Sequence, residues 1–124
     1  MSQAQTSQAQ TLAEQYIAAW NETDAERRRA IIAGSWTADA AYVDPMMNGA
    51  GHDGIAAMIG GAQAQFPGFT FSLISKVDTY GDKMRFSWGA GPAGADPVVE
   101  GTDFIVVAND RLKSVTGFLD KMPG

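Results

Sequence analysis

Apolar side chains recur at helical spacing near the start of the chain: Leu12, Ala13, Tyr16, Ile17 and Trp20 fall at i, i+1, i+4, i+5 and i+8, one stripe of an amphipathic helix ending near Asn21. The preceding MSQAQTSQAQT is polar and partly repetitive, so residues 1–10 read as a flexible tail and 11–124 as the domain. Thr23 followed by Glu26 has the capping-box pattern, and Gly34 stops a second short helix after Ile31 and Ile32. Ile55, Met58, Ile59, Ala62 and Phe66 mark a third helix, ended by Pro67-Gly68. Gly60-Gly61 inside it costs about 1 kcal/mol per glycine relative to alanine, which suggests close packing or a bend there.

The helical period fails elsewhere. Residues 36–43 are aromatic and β-branched near their ends and lead into Asp44-Pro45, a pair that disfavours helix and ends a strand. Residues 48–54 read as a glycine-rich loop. After Phe69 the pattern predicts strands at 69–78, 83–89, 98–108 and 111–119, with turns at Tyr80-Gly81-Asp82 and Asn109-Asp110 and a mobile hairpin loop over 89–97. Helices first and antiparallel strands second is an α+β order, with helices covering one face of a curved sheet. The consecutive apolar residues 104–108 require burial on both faces of that sheet, which predicts a homodimer through the outer one.

Composition narrows the chemistry. At 124 residues and 45% apolar the chain is one domain with a core of its own. It has no cysteine and a single histidine, His52, which excludes thiol nucleophiles, disulfides and metal sites built on several imidazoles. A net charge of −5 opposes binding to nucleic acid or to an anionic membrane. The one basic run, Arg27-Arg28-Arg29, sits among Glu22, Asp24 and Glu26 and reads as a solvated, internally paired helix face. No apolar segment resembles a signal or a membrane span, and a cytoplasmic protein without metal or cofactor is expected.

Three segments, YIAAWNETD from Tyr16, AAYVDP from Ala40 and VVEGTDF from Val98, resemble the NTF2-like superfamily in order and spacing, over nearly the whole chain from about residue 10. The resemblance implies three helices packed on a bent, mostly antiparallel sheet around a conical pocket, and commonly a dimer through the other sheet face. Within the superfamily the chain is similar to the SnoaL-like polyketide cyclases and the ketosteroid isomerases. In the isomerases a helix-one tyrosine and a late-strand aspartic acid donate hydrogen bonds to a carbonyl, while an Asp-Pro aspartate moves the proton; Tyr16, Asp103 and Asp44 match those positions. Helix three departs from the isomerase pattern, with Met58 and Ile59 where aromatic or phenolic residues are usual, which argues against a steroid. Ranked lower is the limonene-epoxide-hydrolase type with its Asp-Arg-Asp set, because strand alternation turns Arg85 away from Phe86 and Trp88.

Proton transfer beside a carbonyl needs a base within reach and a donor aimed at the oxygen where charge collects. Asp44 is the candidate base. Alternation puts Asp103 on the face of Ile105 and Val107, and an apolar cavity there would keep its proton for donation alongside Tyr16; ketosteroid isomerase is itself the established case of such a neutral aspartic acid. Tyr16 is equally readable as a core tyrosine, and Asp44 as a strand terminator. For substrate the candidates are Trp20, Met47, Met58, an apolar wall of Met84, Phe86 and Trp88, and His52, which reads either as a group over the pocket mouth or as an exposed or capping histidine. The expected partner is a small apolar carbonyl compound, either turned over by an isomerase or cyclase or simply carried.

Overall fold

A computed structural model of the protein describes residues 3–123. Helix α1 runs Gln3–Asn21, so the polar opening is not a tail from Gln3 onward. Alanine and glutamine are strong helix formers, Ala9 and Leu12 are buried, and Gln5 Nε2 donates to Gly81 O at 2.7 Å. Residues 1 and 2 lie outside the described residues. Helix α2 spans Ala25–Ser35 and is capped by Asp24 rather than Thr23: the Asp24 carboxylate accepts from Arg27 N at 2.9 Å.

The basic run also differs from expectation. Arg29 pairs with Asp53 at the surface, but Arg28 is buried, its Nη1 donating to Glu22 O at 2.8 Å and to Gln63 Oε1 at 2.7 Å. Gln63 Nε2 in turn donates to Trp20 O and Glu22 O. Two side chains from α2 and α3 thus satisfy carbonyls at the C-terminus of α1 that no helical N–H reaches. Gly60 leaves the space, since a Cβ there would stand 3.1 Å from Arg28 Nη2. Arg28→Ala is expected to destabilise the fold by about 2 kcal/mol, as a lowered urea midpoint, because buried carbonyls lose charged donors.

Strand β1 is Trp36–Val43, as the sequence predicts. The expected glycine loop is instead a short strand, β2 (Asn48–Ala50), followed at once by α3 (Gly51–Gln65). Gly51 has φ of 70°, a left-handed backbone that glycine takes without penalty, and this lets strand become helix without a loop. The expected strand 69–78 breaks into β3 (Phe69–Leu73) and β4 (Asp78–Tyr80). The expected loop over 89–97 is partly strand: β5 runs Lys83–Pro92 and pairs with β3 through Pro92 opposite Phe69. Strands β6 (Val99–Ala108) and β7 (Arg111–Lys121) follow, joined at Asn109-Asp110, both at positive φ as a type I′ turn demands.

The sheet order is β2-β1-β7-β6-β5-β3, with β4 also on β5. Only β1 and β7 pair in parallel; the other pairs are antiparallel. Register shifts mark extra residues in β1 where it pairs with β7 and in β7 where it pairs with β6, bulges that bend the sheet around the helices. On the inner face Tyr16, Trp20, Ile32, Trp36, Ile55, Ile59, Phe86, Ile105 and Leu112 form the core. On the outer face Phe104 and Phe118 meet edge to face with ring centres 5.6 Å apart, 44% and 54% exposed, so the apolar run in β6 is not buried on both sides within one chain. Among the described residues no helix is long and apolar enough to cross a membrane.

Candidate active site

Register carries two carboxyls to one spot. In β6 and β7 Asp103 lies opposite Gly117, and in β5 and β6 it lies opposite Phe86. In the parallel pair Val43 lies opposite Thr116, so Asp44, one residue beyond the end of β1, comes up beside Gly117. Gly117 separates the two: a Cβ built on it would stand 2.8 Å from Asp103 Oδ1, 3.1 Å from Asp44 Cβ and 3.4 Å from Tyr42 Oη.

Each carboxyl has its own phenol. Tyr16 Oη donates to Asp103 Oδ2 at 2.6 Å, and Trp88 Nε1 donates to Asp103 Oδ1 at 3.2 Å. Tyr42 Oη donates to Asp44 Oδ2 at 2.5 Å, while the amides of Met46 and Met47 donate to Asp44 Oδ1 at 2.7 and 2.9 Å. Those amides come from the turn that Asp44-Pro45 opens, so the local sequence that ends β1 also holds the carboxylate. Of the lone pairs on Asp44, one on Oδ2 is left for a ligand.

Burial sets the electrostatics. Asp103 is fully buried. Desolvation pushes its pKa up to about 6, helped by the charge of Asp44 and opposed by the hydrogen bonds from Tyr16 and Trp88. Burial, then the Asp103 charge, holds the Tyr16 phenol well above its ordinary value, and burial likewise raises Tyr42. Both phenols therefore keep their protons, and Asp103 exchanges one within about a unit of neutrality.

Beside this cluster is a cavity of about 60 Å³. Its wall includes Tyr16, Trp20, Asp44, Met47 and Trp88 from the sequence-derived set, together with Tyr42, Phe71 and Leu119. Asp103 sits behind the wall, held against it through Tyr16 and Trp88. Phe86 lies deeper, its ring 5.4 Å from that of Tyr16. Met58 is half-buried against the core, outside the cavity wall. His52 also stands away from it, Nε2 lying 2.9 Å from Trp36 O, because α3 starts at Gly51 and the histidine belongs to its first turn rather than to a loop over the mouth. Arg85 points outward and meets Asp78 at 3.4 Å.

Tyr42 and two glycines had not been singled out. Tyr42 stands two residues before Asp44, hence on the same strand face, which alternation could have shown. Gly101 makes room for the Trp88 indole, where a Cβ would come within 2.5 Å of the ring, and Gly117 separates the carboxyls. Neither has a sequence signal, because each depends on strand register. Among the described residues no cluster of side chains is suited to a metal ion.

The sequence profile of the SnoaL-like domain matches residues 13–115. The chain belongs to the SnoaL-like family. A SnoaL-like protein of Agrobacterium tumefaciens, named as a candidate isomerase, is 44% identical, superposes with a TM-score of 0.88, and aligns over 92% of this chain and 98% of its own. A candidate polyketide cyclase of Sinorhizobium meliloti shares the fold at 14% identity (TM-score 0.68; 86% of this chain, 93% of the other). So does a protein with a ketosteroid isomerase-like fold from Catenulispora acidiphila, solved in complex with trimethylamine, at 19% identity (TM-score 0.69; 86% and 82%). No curated protein matches. This SnoaL-like domain has the α+β NTF2-like fold, three helices on a curved, unclosed sheet.

Proposed function

We propose that this SnoaL-like protein is a cofactor-free isomerase or cyclase that moves a proton on a small, largely apolar carbonyl compound. Asp44 is the base, and Tyr16 with Asp103 supplies the hydrogen bonds to the developing oxyanion. The observation that carries the reading is the pair of phenol-bound carboxyls on either side of Gly117, one at the cavity wall and one fully buried with its pKa near 6. Such a pair divides the labour: Asp44, reached from the cavity, takes a proton, and Asp103, shielded from water, offers one in the protonated form it holds up to about pH 6. A cavity of about 60 Å³ holds a few waters, against roughly 300–1,000 Å³ for pockets that take drug-sized ligands, so the substrate is small.

A second reading, a non-catalytic carrier of a small apolar molecule, draws on the complete burial of Asp103 behind the wall, which a ligand reaches only if the wall yields. Asp44→Asn separates the two. With a panel of small cyclic enones followed by ultraviolet absorbance, the variant is expected to keep its melting temperature and lose turnover by about 10²–10⁴-fold, the range for removal of a positioned base. If the unaltered protein binds the panel without turnover, and Asp44→Asn binds as well, the carrier reading stands.

The same proposal places the protein in the cytoplasm as a homodimer. The exposed Phe104–Phe118 pair on the outer sheet face is the patch that a second copy would cover.

A further inference from the structure

Of the seven aromatic rings that line the cavity, four form a chain. Tyr42 and Trp20 have ring centres 5.8 Å apart, Trp20 and Phe71 5.3 Å, Phe71 and Trp88 5.7 Å. The rings are tilted at 54°, 45° and 49° rather than stacked, and all four line the same cavity. At the two ends of the chain a carboxyl is attached: Tyr42 to Asp44 and Trp88 to Asp103. No lysine, arginine or histidine lines the cavity, and among the described residues neither carboxyl makes an ion pair.

Aromatic faces carry negative quadrupole potential, and an enclosed site magnifies the charge of a carboxylate. An anion would be repelled on every side, and a hydrated cation such as sodium would exchange its water for carbon. A cation whose charge is sheathed in methyl groups meets both demands, since the methyls pack on the rings while the charge faces the Asp44 carboxylate in the wall. Its size also fits, because a four- or five-heavy-atom ion suits a cavity of about 60 Å³.

We propose that the cage of Trp20, Tyr42, Phe71 and Trp88, with Asp44 in its wall and Asp103 behind Trp88, binds a small tertiary or quaternary ammonium ion. The proposal does not rest on proton transfer by Asp44, and a protein with no isomerase activity would still show it.

The test is a heteronuclear NMR titration of the full chain with tetramethylammonium chloride, with tert-butanol as a neutral probe of similar size and sodium chloride as the salt control. The expected result is saturable shifts of the Trp20 and Trp88 indole N–H signals, at about tenfold lower concentration for tetramethylammonium than for tert-butanol. Asp44→Asn, whose spectrum reports its own folding, should weaken the cation about tenfold and leave tert-butanol unchanged. Equal affinity for the two probes, shifts reproduced by sodium chloride, or an Asp44→Asn variant that binds the cation undiminished would each overturn the proposal.

Discussion

Gly117→Ala is expected to lower the melting temperature by roughly 5–15 °C, following from about 1–3 kcal/mol for forcing a methyl group into a filled site. The added carbon would stand 2.8 Å from Asp103 Oδ1 and 3.1 Å from Asp44 Cβ. Relief is hard to find, because β7 is bonded to β1 on one side and β6 on the other, and the Asp103 carboxyl is tied to Tyr16 and Trp88. The variant should therefore lose the geometry of the site along with stability, so that any activity falls further than the folded fraction does. Calorimetry alongside Gly34→Ala, where a Cβ meets nothing within 4 Å, checks this; equal effects of the two substitutions would refute the spacer role.

Asp103→Asn is expected to act in the opposite direction on stability. The folded protein holds the Asp103 proton up to about pH 6, against an ordinary value of 3.8. Between those values the native state binds more protons than the unfolded chain, so stability falls as pH rises from about 4 to 6 and then levels off. The difference of about two pH units corresponds to roughly 3 kcal/mol lost at neutral pH, the hydrogen bonds from Tyr16 and Trp88 being already included in that net shift. Asparagine carries no charge to desolvate. Above pH 6 the variant should be as stable as the parent or more so, with the slope between pH 4 and 6 removed, while donation to a substrate oxyanion weakens. Urea midpoints from pH 4 to 8 read this directly, and an unchanged slope would place the titrating group elsewhere. A substitution that stabilises the fold while impairing the site is what a strained functional position predicts.

The elements were legible where one local rule acted alone. The stripe through Tyr16 and Trp20, the strand from Trp36 to Val43, and the turn at Asn109-Asp110 each follow from periodicity or turn chemistry, and the structure agrees. The α+β order and the family resemblance came from the same segments. Reading failed where a tertiary partner decides. Arg28 looks like a surface charge until α3 supplies Gln63 and the gap at Gly60; the polar opening residues look loose until Ala9 finds a buried position. At the site, alternation placed Asp103 on the inner face, but its distance from Asp44 depends on a parallel pairing between strands about 70 residues apart. His52 reads two ways from sequence, and its place in the first turn of α3 follows from a glycine at positive φ that begins the helix earlier than the glycine-rich composition implies.

The position of β7 has a consequence for biosynthesis. It is the last strand in chain order, yet it lies in the interior of the sheet, between β1 and β6. Until residues 111–121 have left the ribosome, β1 and β6 each present an unpaired edge, and Asp44 and Asp103 have no strand between them to set their separation. The nascent chain can assemble its helices and the β3-β5-β6 ladder early, but the sheet closes only when that final segment threads between two waiting edges. That step depends on long-range pairing, which is slow and leaves strand edges free to aggregate meanwhile.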